Sequence, residues 1–277
     1  MLLFQGAGAA IDSVVAELSI AVTMAFGSFV AGGTALGGGA VAFPVMTKLL
    51  AIEPTTAKVF SLAIQNFGMS AATLTIIFTR IPYYRNVLFI ASPAALAGVL
   101  ISLIFIADLL SRMVIKGVFS LLLLCFVVTL IWRIYRRSQH LCNQTEITIK
   151  PWHVILTAGV GGIASGLVGS GADIAIFALL IIVYSANIQK ATATAVIIMA
   201  VTSVVASVSN VFFLDTLSAE VKGYLLAAIP VVVLGALLGA YICAKAKNSQ
   251  LIAFLLLLIV LEVSFTLYEI IPIDLNI

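Results

Sequence analysis

Long apolar runs with almost no charged residues dominate this chain of 277 residues. About 20 such residues make a helix long enough to cross the hydrocarbon core of a bilayer. Hydrophobic residues form 63% of the sequence and charged residues 9%, whereas a soluble domain carries roughly 25% charged residues. The sequence therefore predicts an all-α polytopic membrane protein, embedded in a lipid bilayer, with room for at most about eight to ten crossings and for no soluble domain.

The apolar runs fall into two successive series of five, with a polar stretch at residues 133–151 between them. The runs cover residues 14–36, 40–51, 55–79, 86–107 and 112–132, and then residues 152–167, 172–185, 189–213, 221–244 and 249–271. Sequence features recur in the same order in both series, at an offset that grows from 132 to 137 residues. The matched pairs are Gly37 with Gly169, Gly39 with Gly171, Ala57 with Ala191, Lys58 with Thr192, Pro93 with Pro230, Gly98 with Gly235 and Ser102 with Gly239. This pattern predicts two repeats, residues 1–137 and 152–277, joined by a linker of residues 138–151, a construction common in secondary transporters.

A glycine-rich stretch lies where the first apolar run of each predicted repeat gives way to the second. It covers residues 32–39 in the first repeat and residues 161–171 in the second. A single helix over residues 14–51 would rise about 57 Å at 1.5 Å per residue, nearly twice the ~30 Å hydrocarbon core. One straight helix is therefore excluded. We predict that each repeat consists of a glycine-broken helical hairpin followed by three transmembrane helices.

The distribution of Lys and Arg gives the predicted orientation, because these residues favour cytoplasmic loops. With a hairpin or two full crossings at each glycine stretch, nine basic residues lie on one side and five on the other. The nine are Arg80, Arg85, Arg133, Arg136, Arg137, Lys150, Lys190, Lys245 and Lys247, and the five are Lys48, Lys58, Arg112, Lys116 and Lys222. If each glycine stretch made a single crossing, seven basic residues would lie on each side of the membrane. With two segments at each stretch, every repeat has five segments. Because five is an odd number, the two repeats are inverted relative to each other, with a cytoplasmic linker and both termini outside.

The glycine breaks are the first candidate site. Unpaired backbone groups at a helix break are costly in hydrocarbon, so the breaks belong inside the protein. The short helices that start near Ala40 and Ala172 would direct free backbone N–H groups at a small anion. Close helix packing is the alternative explanation of the glycines, and two equivalent stretches favour the anion site. The candidate residues are Gly37, Gly38, Gly39, Gly169, Ser170 and Gly171.

Polar side chains on the third segment of each repeat form a second set of candidates. They recur at three- and four-residue steps, which places most of them on one helix face. Such groups bind a small polar solute or bond to neighbouring helices, and both interpretations stay open. The candidates are Ser61, Gln65, Asn66, Thr192 and Ser203. The fourth segments instead carry small residues at positions 91, 95, 98 and 102, and at 235 and 239, which favours helix packing there.

Asp173 is the acidic residue that the second glycine break places at membrane depth. An ionisable group there is a functional candidate by default, and we predict that Asp173 couples proton uptake to anion binding. A cap on the short helix is the equally weighted alternative.

Other classes of function find little support in the residues. The two histidines, His140 and His153, lie in or beside the linker, so neither a Ser/His pair nor a metal site can form at membrane depth. We therefore expect no enzyme, no metal and no cofactor. The net charge is +3, but the basic residues form no patch that would bind nucleic acid. The sequence does not determine the oligomeric state.

The residues Gly37-Gly38-Gly39-Ala40-Val41-Ala42-Phe43-Pro44, followed by Ala57 and Ser61, resemble the GxGGGxxxxP and AxxxS signature of the TauE/SafE sulfite-exporter family. The second half repeats it as Gly169-Ser170-Gly171 and residues 189–194, with Ile176 at the expected proline position. The resemblance implies transport of sulfite, an organosulfonate or another sulfur-containing anion across a bacterial inner membrane. A passive channel for a small anion and a membrane scaffold without transport are the alternatives.

Overall fold

A computed structural model describes residues 18–33, 46, 52–106, 121, 124, 127–129, 131–132, 149–212, 219–245 and 250. These residues form seven α-helices and no strand. The helices are α1 Leu18–Gly33, α2 Pro54–Phe78, α3 Arg85–Ile101, α4 Pro151–Val168, α5 Ala172–Ala178, α6 Ile188–Phe212 and α7 Ala219–Lys245. Two of them, α3 and α5, continue directly into the π-helices Ser102–Ile106 and Leu179–Val183. The first glycine break, with Gly37, Gly38 and Gly39, lies outside the described residues, as does most of the linker.

Four segments of the described chain are long and apolar enough to cross a membrane. They are Val59–Phe78, Arg85–Ile106, Ile188–Ser209 and Val221–Ile242, and they belong to α2, α3, α6 and α7. Proline opens α2 and α4, where the first helical N–H has no partner in any case. Pro93 and Pro230, which match between the repeats, lie inside α3 and α7.

Glycines bring the first helix of each repeat against the fourth segment of the other repeat. In the α3–α4 pair, a Cβ added at Gly98 would overlap the carbonyl oxygen of Gly159, and one added at Gly162 would overlap that of Ala95. In the α1–α7 pair, a Cβ at Gly239 would overlap the carbonyl oxygen of Phe29. Small residues allow such backbone contact between membrane helices. The predicted packing role of the fourth segments is confirmed.

The packing partners form two groups of helices. In the first group α7 packs against α1 and α2. In the second group α4 and α6 each pack against both α3 and α5. Because α7 belongs to the second repeat and α3 to the first, each group contains the fourth segment of the opposite repeat.

The third segments α2 and α6 join the two groups, and they run antiparallel. Ser207 Oγ donates to the Leu62 carbonyl near the start of α2 (3.0 Å), and Gln65 Nε2 contacts Met199 Sδ at 2.9 Å. Beyond the end of α2, the backbone N–H of Tyr84 donates to Thr194 Oγ1 near the start of α6 (2.9 Å). Residue numbers thus fall along α6 as they rise along α2.

The Gln65–Met199 contact joins matching positions of the two repeats. The sequence separation of 134 residues equals the offset that matches Ala57 with Ala191. The contact lies within the interface of α2 and α6.

Candidate functional site

The second glycine break turns the chain between α4 and α5. Gly169 follows α4 with φ +89°, the left-handed region that glycine adopts without a steric penalty, and its N–H donates to the Ser165 carbonyl (2.8 Å). The chain then folds back along α4, so that a Cβ added at Gly161 would lie 2.8 Å from both Ala172 Cα and Ala175 Cβ. One helix thus ends at Val168 and the next starts at Ala172, at the position where the sequence analysis placed the second glycine break.

Asp173 accepts hydrogen bonds at this break and is almost fully buried, with 1% exposure. The Gly171 N–H donates to Oδ1 at 2.9 Å, and Ser170 Oγ lies 3.3 Å from both carboxylate oxygens. Asp173 is the second residue of α5 and bonds back to the residue before the helix, much as the acidic residue of a capping box does. The geometry thus contains a capping contact, while proton coupling stays a prediction.

Two of the backbone N–H groups that the predicted anion site depends on already have partners. Gly171 donates to Asp173, and Ala172 donates to Ser165 Oγ at 2.8 Å. An anion that reached this helix end would meet a carboxylate in the place where open N–H groups were expected. In this structure the acceptors at the break are therefore Asp173 and Ser165 of the chain itself.

Helix α2 brings two further predicted residues to the site. Ser61 is fully buried, and its Oγ lies 3.6 Å from the position of a Cβ added at Gly169. Gln65, one turn further along α2, is 1% exposed. Its Nε2 donates to the Met199 sulfur, and its Oε1 has no hydrogen-bond partner among the residues that the structure describes. Because a thioether is a weak acceptor, the carboxamide of Gln65 keeps most of its hydrogen-bonding capacity.

A small cavity lies beside Gln65, between α1, α2 and α7. It has room for about one water molecule. Its lining is mostly apolar, with Met24, Gly27, Ser28, Gln65, Gly68 and Val232 among the lining residues. The Ser28 hydroxyl bonds to the Ala25 carbonyl within α1 (2.9 Å), whereas the buried Oε1 of Gln65 has no hydrogen-bond partner among the described residues.

The other predicted site residues have no described contact with the break. Asn66 is half-buried and accepts a long hydrogen bond from Ser70 Oγ (3.4 Å) on the same helix. Ser203 is buried, and its hydroxyl donates to the Ala200 carbonyl within α6 (3.0 Å). Thr192 is half-buried near the start of α6. The structure thus brings Ser61, Gly169, Ser170, Gly171 and Asp173 together, with Gln65 one helical turn away.

Sequence reasoning missed Ser165 and Met199. The Ser165 hydroxyl, which holds the first N–H of α5, lies four residues before the break and is separated from it by apolar residues. Met199 carries no polar signal. The repeat offset of 134 could have identified Met199 as the counterpart of Gln65, but it could not have shown that the two counterparts touch.

A comparison with protein families decides what kind of protein carries this site. Residues 20–265 match the family described as sulfite exporter TauE/SafE. The chain belongs to the TauE/SafE family. None of the curated proteins and none of the solved structures compared with the chain matches it. Together with the four long apolar helices, membership of TauE/SafE makes the chain a multi-pass membrane protein of a transporter family.

Proposed function

We propose that this TauE/SafE protein is a secondary transporter that moves a small sulfur-containing anion, sulfite or an organosulfonate, across the cytoplasmic membrane. The match along most of the chain carries this proposal. A buried break that gathers N–H and O–H donors next to polar side chains of α2 supports it, because a small anion needs donors at membrane depth.

The anion and Asp173 would compete for the same donors. The Gly171 N–H and the Ser170 hydroxyl now serve the carboxylate. Like charges 4 Å apart repel by about 4 kcal/mol at an effective dielectric constant of 20, so an ionised Asp173 opposes an anion at this point. A protonated carboxyl group is a weaker acceptor and carries no charge. We infer that one proton binds Asp173 as the anion takes its donors.

An inverted relation of the two repeats is part of the proposal. The antiparallel contact of the matching helices α2 and α6 supports it, since an axis that relates two antiparallel membrane-crossing helices lies in the membrane plane. Alternating access would then proceed around the crossing of α2 and α6.

Transport by purified protein in liposomes tests the proposed function. A carrier gives saturable uptake of labelled sulfite or sulfonate that a solute inside the vesicles accelerates by counterflow. Flux that rises linearly with concentration would indicate a channel instead, and protein that inserts without any flux would indicate a scaffold.

Cysteine labelling tests the proposed topology. The exposed side chains of Lys150 and Lys222 are predicted on opposite faces of the membrane. In a chain from which the three native cysteines have been removed, Lys150→Cys should react with an impermeant maleimide only from the cytoplasm, and Lys222→Cys only from the periplasm. Labelling of both positions from the same side would contradict the inverted arrangement.

A further inference from the structure

We propose that the Gln65 carboxamide recognises the protonation state of the solute, and that the protein selects a singly protonated oxyanion such as hydrogensulfite over a fully deprotonated one. This inference rests on the proposed function. It adds the chemical form of the solute and the side chain that reads it.

The hydrogen bonding of Gln65 is incomplete in a way that points to a missing ligand. Buried polar atoms are almost always paired, because leaving one unpaired costs the free energy of removing it from water. Gln65 is 1% exposed, yet within the described part of the chain its Oε1 has no partner and its Nε2 reaches only the Met199 sulfur. The planar carboxamide of Gln65 thus carries a donor, Nε2, whose weak bond to sulfur is easily exchanged, and an acceptor, Oε1, that is available for a ligand.

The position of Gln65 is suited to a solute that passes between the repeats. Gln65 lies where matching residues of α2 and α6 meet, one turn from Ser61 at the break. The adjoining cavity separates it from α1 and α7. This cavity has room for only about one water molecule, so under the proposal α1 and α7 must move away from α2 before a solute can reach the amide.

The chemistry of a carboxamide then defines the solute. An amide offers N–H donors and a carbonyl acceptor side by side. A hydrogensulfite ion carries both anionic oxygen and an O–H group, so it can accept from Nε2 and donate to Oε1. A fully deprotonated sulfite ion, or the sulfonate group of an organosulfonate, only accepts and leaves Oε1 unpaired. Sites with fixed donors and acceptors reject a ligand that leaves one of their polar groups unpaired.

The surroundings of Gln65 contain no competing titratable group among the described residues. Met24 and Ser28 of α1, Met199 of α6 and Val232 of α7 contact it or line its cavity, and none of these side chains ionises. Asp173, which is bonded to Gly171 and Ser170 at the break, is the titratable group that the proposed function uses. A pH effect that belongs to the solute must therefore be separated from one that belongs to Asp173.

Two solutes make that separation in the liposome assay. Methanesulfonate stays deprotonated in the pH range of the experiment, so the pH dependence of its uptake reports the protein alone. Sulfite itself titrates in this range. When its uptake rate at each pH is divided by the uptake rate of methanesulfonate at the same pH, the ratio should follow the concentration of hydrogensulfite. We expect the wild-type protein to prefer hydrogensulfite over methanesulfonate by about tenfold or more, as expected when a buried polar group is satisfied by one ligand and not by the other.

Gln65→Met is the decisive variant, because methionine has a similar length and no amide. We expect it to raise the KM for sulfite about tenfold and to remove the preference over methanesulfonate. Its thermal unfolding midpoint should stay at or above the wild-type value, since the unpaired acceptor is gone. Met199→Leu, which removes only the weak acceptor, should keep the preference.

The outcomes are distinct. If Gln65 only holds an ordered water, Gln65→Met will keep the wild-type KM and preference, and the inference is overturned. If the wild-type protein transports methanesulfonate as well as hydrogensulfite, the inference is overturned while the proposed function stands. If the wild-type protein transports neither solute, the proposed function fails and the inference fails with it.

Discussion

Replacing Gly171 by alanine is expected to abolish transport and to lower the stability of the protein. A Cβ at this position would lie 2.7 Å from the Gly161 carbonyl oxygen, 2.8 Å from Ala164 Cβ and 2.9 Å from the Ser165 backbone nitrogen. The backbone of Gly171 is extended, with φ 169°, so the obstacle is space and not conformation. Forcing extra atoms into such a contact typically costs about 1–3 kcal/mol. The cost here falls on the hairpin that holds the donors of Asp173.

Gly223→Ala is the matched control for this variant. Gly223 is exposed on α7, and nothing lies within 4 Å of a Cβ added there. Alanine is the better helix former, so this variant should transport normally and gain roughly 0.5–1 kcal/mol of stability. Counterflow in liposomes and thermal unfolding in detergent measure both proteins. A Gly171→Ala variant with wild-type flux would mean that α4 and α5 do not pack this closely in the working protein.

Replacing Asp173 by asparagine is expected to remove the pH dependence of transport. Asparagine is uncharged and resembles the protonated carboxyl group, so an anion can take the Gly171 N–H without repulsion. The wild-type rate should change with pH over the range in which Asp173 titrates, by up to about tenfold per pH unit. The asparagine variant should transport at a rate that no longer responds to pH, and methanesulfonate is the suitable solute because it does not itself titrate in that range.

Ser170→Ala separates the charge of Asp173 from its hydrogen bonds. This variant removes a hydroxyl donor near both carboxylate oxygens and leaves the carboxyl group in place. It should slow transport and keep a pH dependence. If Asp173→Asn follows the wild-type pH profile, Asp173 only caps α5 and the proton has another acceptor.

The glycine pattern predicted the second hairpin well because its physical causes are local. A left-handed residue at Gly169 and close approach at Gly161 and Gly171 each require glycine, and these requirements appear directly in the sequence. The π-helices that extend α3 and α5 could not be predicted in this way. Their residues, 102–106 and 179–183, are apolar except for Ser102, and this composition does not distinguish a π-helix from an α-helix.

The partners of buried hydroxyl groups were also beyond sequence reasoning. Ser203 bonds within its own helix, while Ser207, four residues later, reaches across to the Leu62 carbonyl. Thr73 matches Ser207 at the offset of 134, yet its buried hydroxyl has no partner in the described ranges of the chain. A helical face fixes the direction of a side chain, but the angle and depth of the helix crossing determine what it reaches. The same limit applies to Gln65, whose sequence position gave no sign of its contact with Met199.

Each half of the sequence supplies one helix that packs against a helix of the other half. Helix α7 covers the glycine surface of α1, and α3 covers that of α4. Either half taken alone would leave a backbone-lined groove open and a proline-containing helix without the neighbour that fits it. The two halves are therefore interlocked, as in a domain-swapped dimer whose protomers have been joined into one chain.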